Sequence, residues 1–435
     1  MKRRQLLQAL AAAGIAPHMA AALAAEAAPQ PATGGLGKAR VVVVGGGFGG
    51  ATAAKYLRLF SNYTLDVTLV EPSPALVSCP LSNLVIGGSK ILSDVTVSMD
   101  TLATRHGVRL VRDRAAAIDP GKKQARLAAG GVLPYDRLIL SPGVDFIWDA
   151  LPATAGAGKD EACTQVLHAW KAGPQTVELR RRLEAMPDGG VFAISIPELP
   201  YRCPPAPYER ACQAAWYLKQ AKPKSKVLVL DANPDITAKP ALFRKAWAEL
   251  YPGLIDYQPL FALTDVDLKE NTMKFEVQDD IRADVINIVP PMRAGDIAVR
   301  SGLATANGRW CEVEFLSFES VAVPGVHVLG DAIQVAQAMP KSAHMANQHG
   351  KVAAAAVVAL LGGRSPEAAP LYANTCYSFV SPDEVVHVAS VHRYDEAHRT
   401  MLPVPGAGGL SASLNKTEGR YAIAWARNIW ADTLN

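Results

Sequence analysis

The sequence predicts an α/β protein: two doubly wound dinucleotide-binding-type domains, the first discontinuous and the second NAD-like without a nucleotide, plus a small α+β C-terminal domain. Three observations carry this. A four-valine strand, Val41 to Val44, runs straight into Gly45-x-Gly47-x-x-Gly50; a second strand-rich stretch follows from about residue 150; and a later strand ends in Gly330-Asp331. Strand, glycine turn, helix and strand in that order open a parallel sheet. The 435 residues can bury two or three cores, and 49% hydrophobic with 19% charged is ordinary globular composition.

Taken in order, residues 1–28 read as an export signal rather than as fold. Arg3-Arg4 precede an apolar, alanine-rich stretch, and Ala22-Leu23-Ala24 offers small residues for cleavage. This twin-arginine pattern predicts a periplasmic protein exported already folded. Residues 29–37, rich in Pro, Gly and Ala, form a linker. The net charge of +4 is too small and dispersed to argue for nucleic acid. No later apolar run approaches the roughly 20 residues of a membrane span. The six cysteines include no C-x-x-C or C-x-x-C-H, which argues against structural zinc and against haem on this chain.

The first domain is expected over 38–150 and 284–361. Gly45 permits the tight turn, Gly47 lets backbone approach a pyrophosphate, and Gly50 lets the helix pack on its strand. Glu71 ends the next strand about 20 residues later, where a carboxylate accepts ribose hydroxyls. Phe48 and Gly143 join these as cofactor-binding candidates. Gly330-Asp331, after a strand and before a helix, is the second contact of two-dinucleotide-domain flavoproteins, so the predicted cofactor is FAD. Strands are expected over 284–289 and 327–331, returning to the first sheet, and a helix over 344–361.

The NAD-like domain is expected over 151–283. Its first strand leads not into a glycine turn but into a loop holding Pro197, Pro200, Pro204, Pro205 and Pro207. Proline has no N–H for a phosphate and cannot make that turn, so no NAD(P) is expected. Beyond residue 362 the sequence predicts mixed short strands, and Tyr421, Trp425 and Ile429 share one helix face.

The strings Gly45-Gly46-Gly47-Phe48-Gly49-Gly50, Cys79-Pro80-Leu81-Ser82-Asn83, Tyr201-Arg202-Cys203-Pro204-Pro205, Met339-Pro340-Lys341-Ser342 and Asn374-Thr375-Cys376-Tyr377-Ser378, with Trp425, span most of the chain. In them the sequence resembles the flavoprotein subunit of flavocytochrome c sulfide dehydrogenase. The resemblance implies that Cys79 carries FAD through a thioether and that Cys203 and Cys376 form a redox-active disulfide. Sulfide would leave a persulfide on Cys203 and a thiolate on Cys376, with Glu209 managing protons. Lys341 and Ser342 would sit at the flavin pyrimidine, before the helix whose N-terminus faces it. Trp425 would line the way to a c-type cytochrome subunit in a heterodimer. Cys163, Cys212 and Cys311 are expected to be buried thiols. Two other readings share these features: a sulfide:quinone reductase, and a flavin-bearing, non-catalytic accessory protein of a sulfur-oxidising system.

Overall fold

The computed structural model describes residues 36–37, 39–154 and 159–435. The predicted export signal and most of the linker lie outside the described residues. Strand β1 (Arg40–Val44) leads into helix α1 (Phe48–Phe60) and strand β2 (Asp66–Val70), followed by β3 (Arg109–Val111) and β4 (Arg137–Leu140). Valine and leucine buried on both faces are what a sheet covered by helices requires. A second unit holds β5 (Val191–Ile196), helix α2 (Ala206–Ala221), β6 (Lys226–Asp231), β7 (Ile255–Pro259) and β8 (Val285–Ile288). The chain then adds β9 (Val313–Glu314), β10 (Glu319–Ser320), β11 (Val326–Val328) and helix α3 (Ala343–Leu361).

The first sheet has the order β9-β10-β11-β4-β1-β2-β3, parallel from β11 to β3. The second is the parallel sheet β7-β6-β5-β8. One expectation is corrected here. The strand predicted over 284–289 does not return to the first sheet; as β8 it pairs with β5, Phe192 opposite Val285. A short apolar strand reads the same in either sheet, so pattern alone could not assign it. Met292–Ala294 then pairs antiparallel with Val144–Phe146 in a separate two-stranded sheet, and the chain re-enters the first sheet only at β9.

The C-terminal unit also differs from the expected short strands. It is a meander of β12 (Leu371–Phe379), β13 (Val385–Asp395) and β14 (Thr400–Leu410), closed by helix α4 (Lys416–Leu434). Its packed face runs through Gly419, Ala422, Ala426, Ile429 and Thr433, at spacings of three and four, while Tyr421 of the predicted face is exposed. Phe379, Val385, Ala422 and Ala426 pack with Leu81 and Leu84, beside the Cys79 loop. Lys55 of α1 donates to the carbonyls of Ala431, Asp432 and Asn435 at 3.2, 2.8 and 2.7 Å, fastening α4 to the first domain.

Candidate active site

Strand register assembles one end of the site. Val44 lies level with Val70 and Leu140, and Leu140 with Val328, so the chain leaves four parallel strands along one edge. Gly45 has φ +98°, and a Cβ there would lie 2.3 Å from the Ser141 carbonyl oxygen. A Cβ on Gly50 would lie 1.9 Å from the Gly45 oxygen. These two glycines shape the turn from behind and do not line the cavity.

Gly47 does line it, and a Cβ there would meet nothing within 4 Å. It caps α1 without a side-chain acceptor, leaving first-turn N–H groups for an anion. Glu71 accepts the N–H of Gly46 at 2.7 Å and of Ser73 at 2.9 Å, which fixes its carboxylate at the same mouth. Phe48, Gly143, Gly330 and Asp331 line the cavity too. An open N–H cradle beside a fixed acid fits a dinucleotide.

From there a cavity of about 460 Å³ runs to Cys79, Cys203, Cys376, Tyr377 and Trp425. These three cysteines are half-buried, whereas Cys212 and Cys311 are fully buried. Cys163 is half-buried rather than buried as expected, its Sγ 3.8 Å from the Thr154 oxygen. Cys203 comes from the proline loop after β5 and sits at φ +57°, an uncommon state for a residue with a side chain. Its N–H is held by the Lys341 carbonyl at 2.8 Å. Cys376 lies in the middle of β12, its Sγ 3.4 Å from Asn374 Nδ2, and Asn374 accepts from the α3 cap Ser342 at 2.7 Å. The predicted Cys203–Cys376 bond is not formed in this structure, where both are free cysteines. Burial pushes the Cys203 thiol up, and the charges of Cys376 and Glu209 add to this.

Glu209 is buried at the first turn of α2, accepting from Phe379 N–H at 2.8 Å and Asn83 Nδ2 at 2.9 Å. Burial raises its pKa above the usual carboxylate range despite those two donors. Trp425 lines the cavity with ring centroids 5.7 Å from His344 and 6.0 Å from Tyr377. Lys341 is placed differently from expectation. Its side chain points behind the Gly330-Asp331 turn, donating to the Asp331 oxygen at 2.9 Å and lying 3.8 Å from the Trp310 ring centroid. It braces the turn instead of facing the cavity, because the turn's own carbonyls need a buried donor.

Three groups went unnoticed in the sequence. Arg202 donates to the Trp170 oxygen, which the Cys79 thiol also approaches at 4.0 Å. Burial works against its charge, but Cys79, Asp331 and Cys203 outweigh that and raise its pKa. A cation one residue before a singled-out cysteine was the available signal. Arg210 is buried among Asn83, Asn287 and the carbonyls of His168 and Ala169, tying the second domain to the short helix Ser82–Gly87. Lys239 lies behind Cys376, and nothing local announced it.

At the end of β6, Asp231 occupies the place in the second sheet that Glu71 follows in the first. Its carboxylate accepts from Tyr208 at 2.6 Å, Tyr257 at 3.1 Å and Asn233 at 2.7 Å.

Fold and cavity together define a protein of the two-dinucleotide-domain class, with Cys203 in the loop where a second nucleotide's phosphates would lie. Residues 39–175 match the pyridine nucleotide-disulphide oxidoreductase family. Residues 176–290 match the central part of the sulfide dehydrogenase [flavocytochrome c] flavoprotein chain, and 368–434 the flavin-binding part of flavocytochrome c sulphide dehydrogenase. The sulfide dehydrogenase flavoprotein chain of Chlorobaculum thiosulfatiphilum is 63% identical over 49 residues, all of that relative and 11% of this chain. The chain belongs to the flavoprotein chains of flavocytochrome c sulfide dehydrogenase.

The mitochondrial sulfide:quinone oxidoreductase of Mus musculus is 25% identical over 310 residues, 67% of this chain and 65% of that relative. The chain thus spans about 65% of the length of this relative and of its Dictyostelium discoideum counterpart. The sulfide:quinone oxidoreductase structure from Aquifex aeolicus shares the fold at TM-score 0.72, with 17% identity and 91% of each chain covered.

Proposed function

We propose that this chain oxidises sulfide at Cys203 and Cys376 beside FAD, and delivers the electrons to a c-type cytochrome subunit. The observation that carries the reading is convergence: Cys79, Cys203, Cys376 and Trp425, from different units of the fold, line the same cavity as Gly47 and Asp331. The Gly45–Gly50 turn would hold the FAD pyrophosphate, Glu71 the ribose, and Cys79 a thioether to the flavin ring. Bound there, FAD would take up the two electrons released by sulfide sulfur and pass them on singly. With Cys203 and Cys376 paired, HS⁻ attacks Cys203; the S–S bond breaks, leaving a persulfide on Cys203 and a thiolate on Cys376. Glu209, its pKa raised by burial, is the group that exchanges protons with the sulfur species. Polysulfide or elemental sulfur is the product.

A nicotinamide donor is disfavoured. The ribose-type acid Asp231 is taken by two tyrosines, and prolines occupy the phosphate loop. The twin-arginine start supports a periplasmic location, where a disulfide persists; sequencing the mature N-terminus should find it between residues 25 and 28.

Anaerobic titration tests the core of the reading. Sulfide is expected to bleach the flavin at about two electrons per FAD, and NADH to leave it unchanged. Reoxidation is expected with cytochrome c and not with a short-chain quinone; the reverse preference would make the chain a sulfide:quinone reductase. A flavin that sulfide cannot bleach would leave a non-catalytic accessory protein. Acid denaturation should leave flavin on the chain, and Cys79→Ala should release it.

A further inference from the structure

Behind the cysteine pair lies a lysine that neither cofactor binding nor sulfide attack has so far required. Lys239 is 4% exposed and adopts φ +57° immediately before Pro240, which opens the helix Pro240–Leu250. That backbone state is uncommon for a residue with a Cβ. Here it turns the side chain out of the second domain and into the C-terminal sheet. Nζ donates to the Cys376 carbonyl oxygen at 3.2 Å, to Ser378 Oγ at 2.7 Å and to the Val386 carbonyl oxygen at 3.2 Å. Every donor of the ammonium is used, and all three acceptors are uncharged. Its positive charge is therefore left to act on the groups around it.

Those groups are Cys376 on β12, Cys203 in the proline loop, Glu209 in the first turn of α2, and Glu418 on α4. Burial lowers the lysine to about 8, with these four opposing the change. For Cys376, burial raises the thiol, and Lys239 is the foremost influence against it, ahead of the Asn374 hydrogen bond.

We propose that Lys239 is a positioning residue for the sulfur chemistry: its buried ammonium, bonded to the Cys376 backbone, stabilises the Cys376 thiolate when the bond to Cys203 opens. The inference rests on the proposed disulfide reading. The step it assists is HS⁻ plus the Cys203–Cys376 disulfide giving a Cys203 persulfide and a Cys376 thiolate. One S–S bond forms and one breaks, and Lys239 keeps its proton throughout. A thiol-disulfide exchange expels the better-stabilised thiolate faster. The lysine thus sets the direction of opening, with Cys376 leaving and Cys203 retaining sulfide sulfur.

The test uses flavin-loaded protein carrying Cys203→Ser, so that Cys376 stands alone, and follows its alkylation by uncharged iodoacetamide from pH 6 to 10 by peptide mass. An opposite charge a few ångströms away moves a pKa by one to three units. Lys239→Met should therefore raise the midpoint by about one unit or more and slow alkylation at pH 7 about tenfold or more. Lys239→Arg should recover most of the rate. Should Lys239→Met fail to retain flavin, Lys239→Gln carries the same expectation, since its amide can still bond the Cys376 carbonyl. An unchanged pH profile in a neutral variant with a normal flavin spectrum overturns the proposal. Alkylation needs no sulfide, so a failure here is separate from failure of sulfide to bleach the parent protein.

Discussion

Glu209 combines two donors that favour its carboxylate with burial that opposes it, and burial prevails. The sign of the consequence follows. Its folded pKa lies above the unfolded value, so in the window between them the native state holds more protons, and stability falls as pH rises through it. Glu209→Gln has no charge to bury and should lack that fall. Urea denaturation midpoints from pH 4 to 8 should decline less in the variant than in the parent, and equal slopes would remove Glu209 as a buried acid. The sulfide half-reaction should slow in the same variant by roughly a hundredfold, the lower range for loss of an acid–base group. Glu209 was legible because it stands six residues after Cys203 in the same segment. Lys239 was not: its partners on the C-terminal sheet lie 137 and 147 residues further along, and no local pattern records a contact of that range.

The same division appears between helices. The turn ahead of α1 was legible because Gly45 and Gly50 pack on each other and on Ser141 after the adjacent strand, with Gly47 open between them. The close approach of α3 to α1 was not, because its requirement lies across the packing of distant elements. A Cβ on Gly350 would come within 2.5 Å of the Gly49 carbonyl oxygen and 3.0 Å of Thr52 Cβ. Both neighbours belong to α1 and cannot yield without moving the phosphate-binding turn. Gly350→Ala should therefore cost about 1–3 kcal/mol, typical of overpacking a core, and lower flavin content as well. Gly47→Ala makes the contrast. Its Cβ meets no protein atom within 4 Å, so thermal stability without flavin should stay near the parent while FAD uptake falls. Equal effects on stability from the two would mean that the helix contact, not the open cradle, accounts for both glycines.

At the scale of the whole molecule, the predicted architecture held because each α/β unit announces itself through local strand and turn patterns. The boundary of the second unit was misplaced at β8, where an apolar strand could serve either sheet. What no segment could reveal is that three units share the cavity walls. The Cys79 loop packs on α4, with Trp430 Nε1 donating to Ser78 Oγ at 2.9 Å. Gln213 of the second domain donates to the Phe379 oxygen at 2.7 Å. A cofactor filling that cavity touches all three units, so its binding energy is folding energy for their junction. Ligand at a hundred times Kd adds about 2.7 kcal/mol to stability. In Cys79→Ala, which lacks the proposed thioether, the stripped protein should unfold at a lower temperature and in more than one step. Amides of β12 and of residues 82–87 should then exchange faster than those of β1. Added FAD should restore a single transition whose midpoint climbs with FAD concentration. If the stripped protein keeps one transition at the holoprotein's temperature, the units are joined by their own packing and the cofactor is a passenger in a preformed cavity.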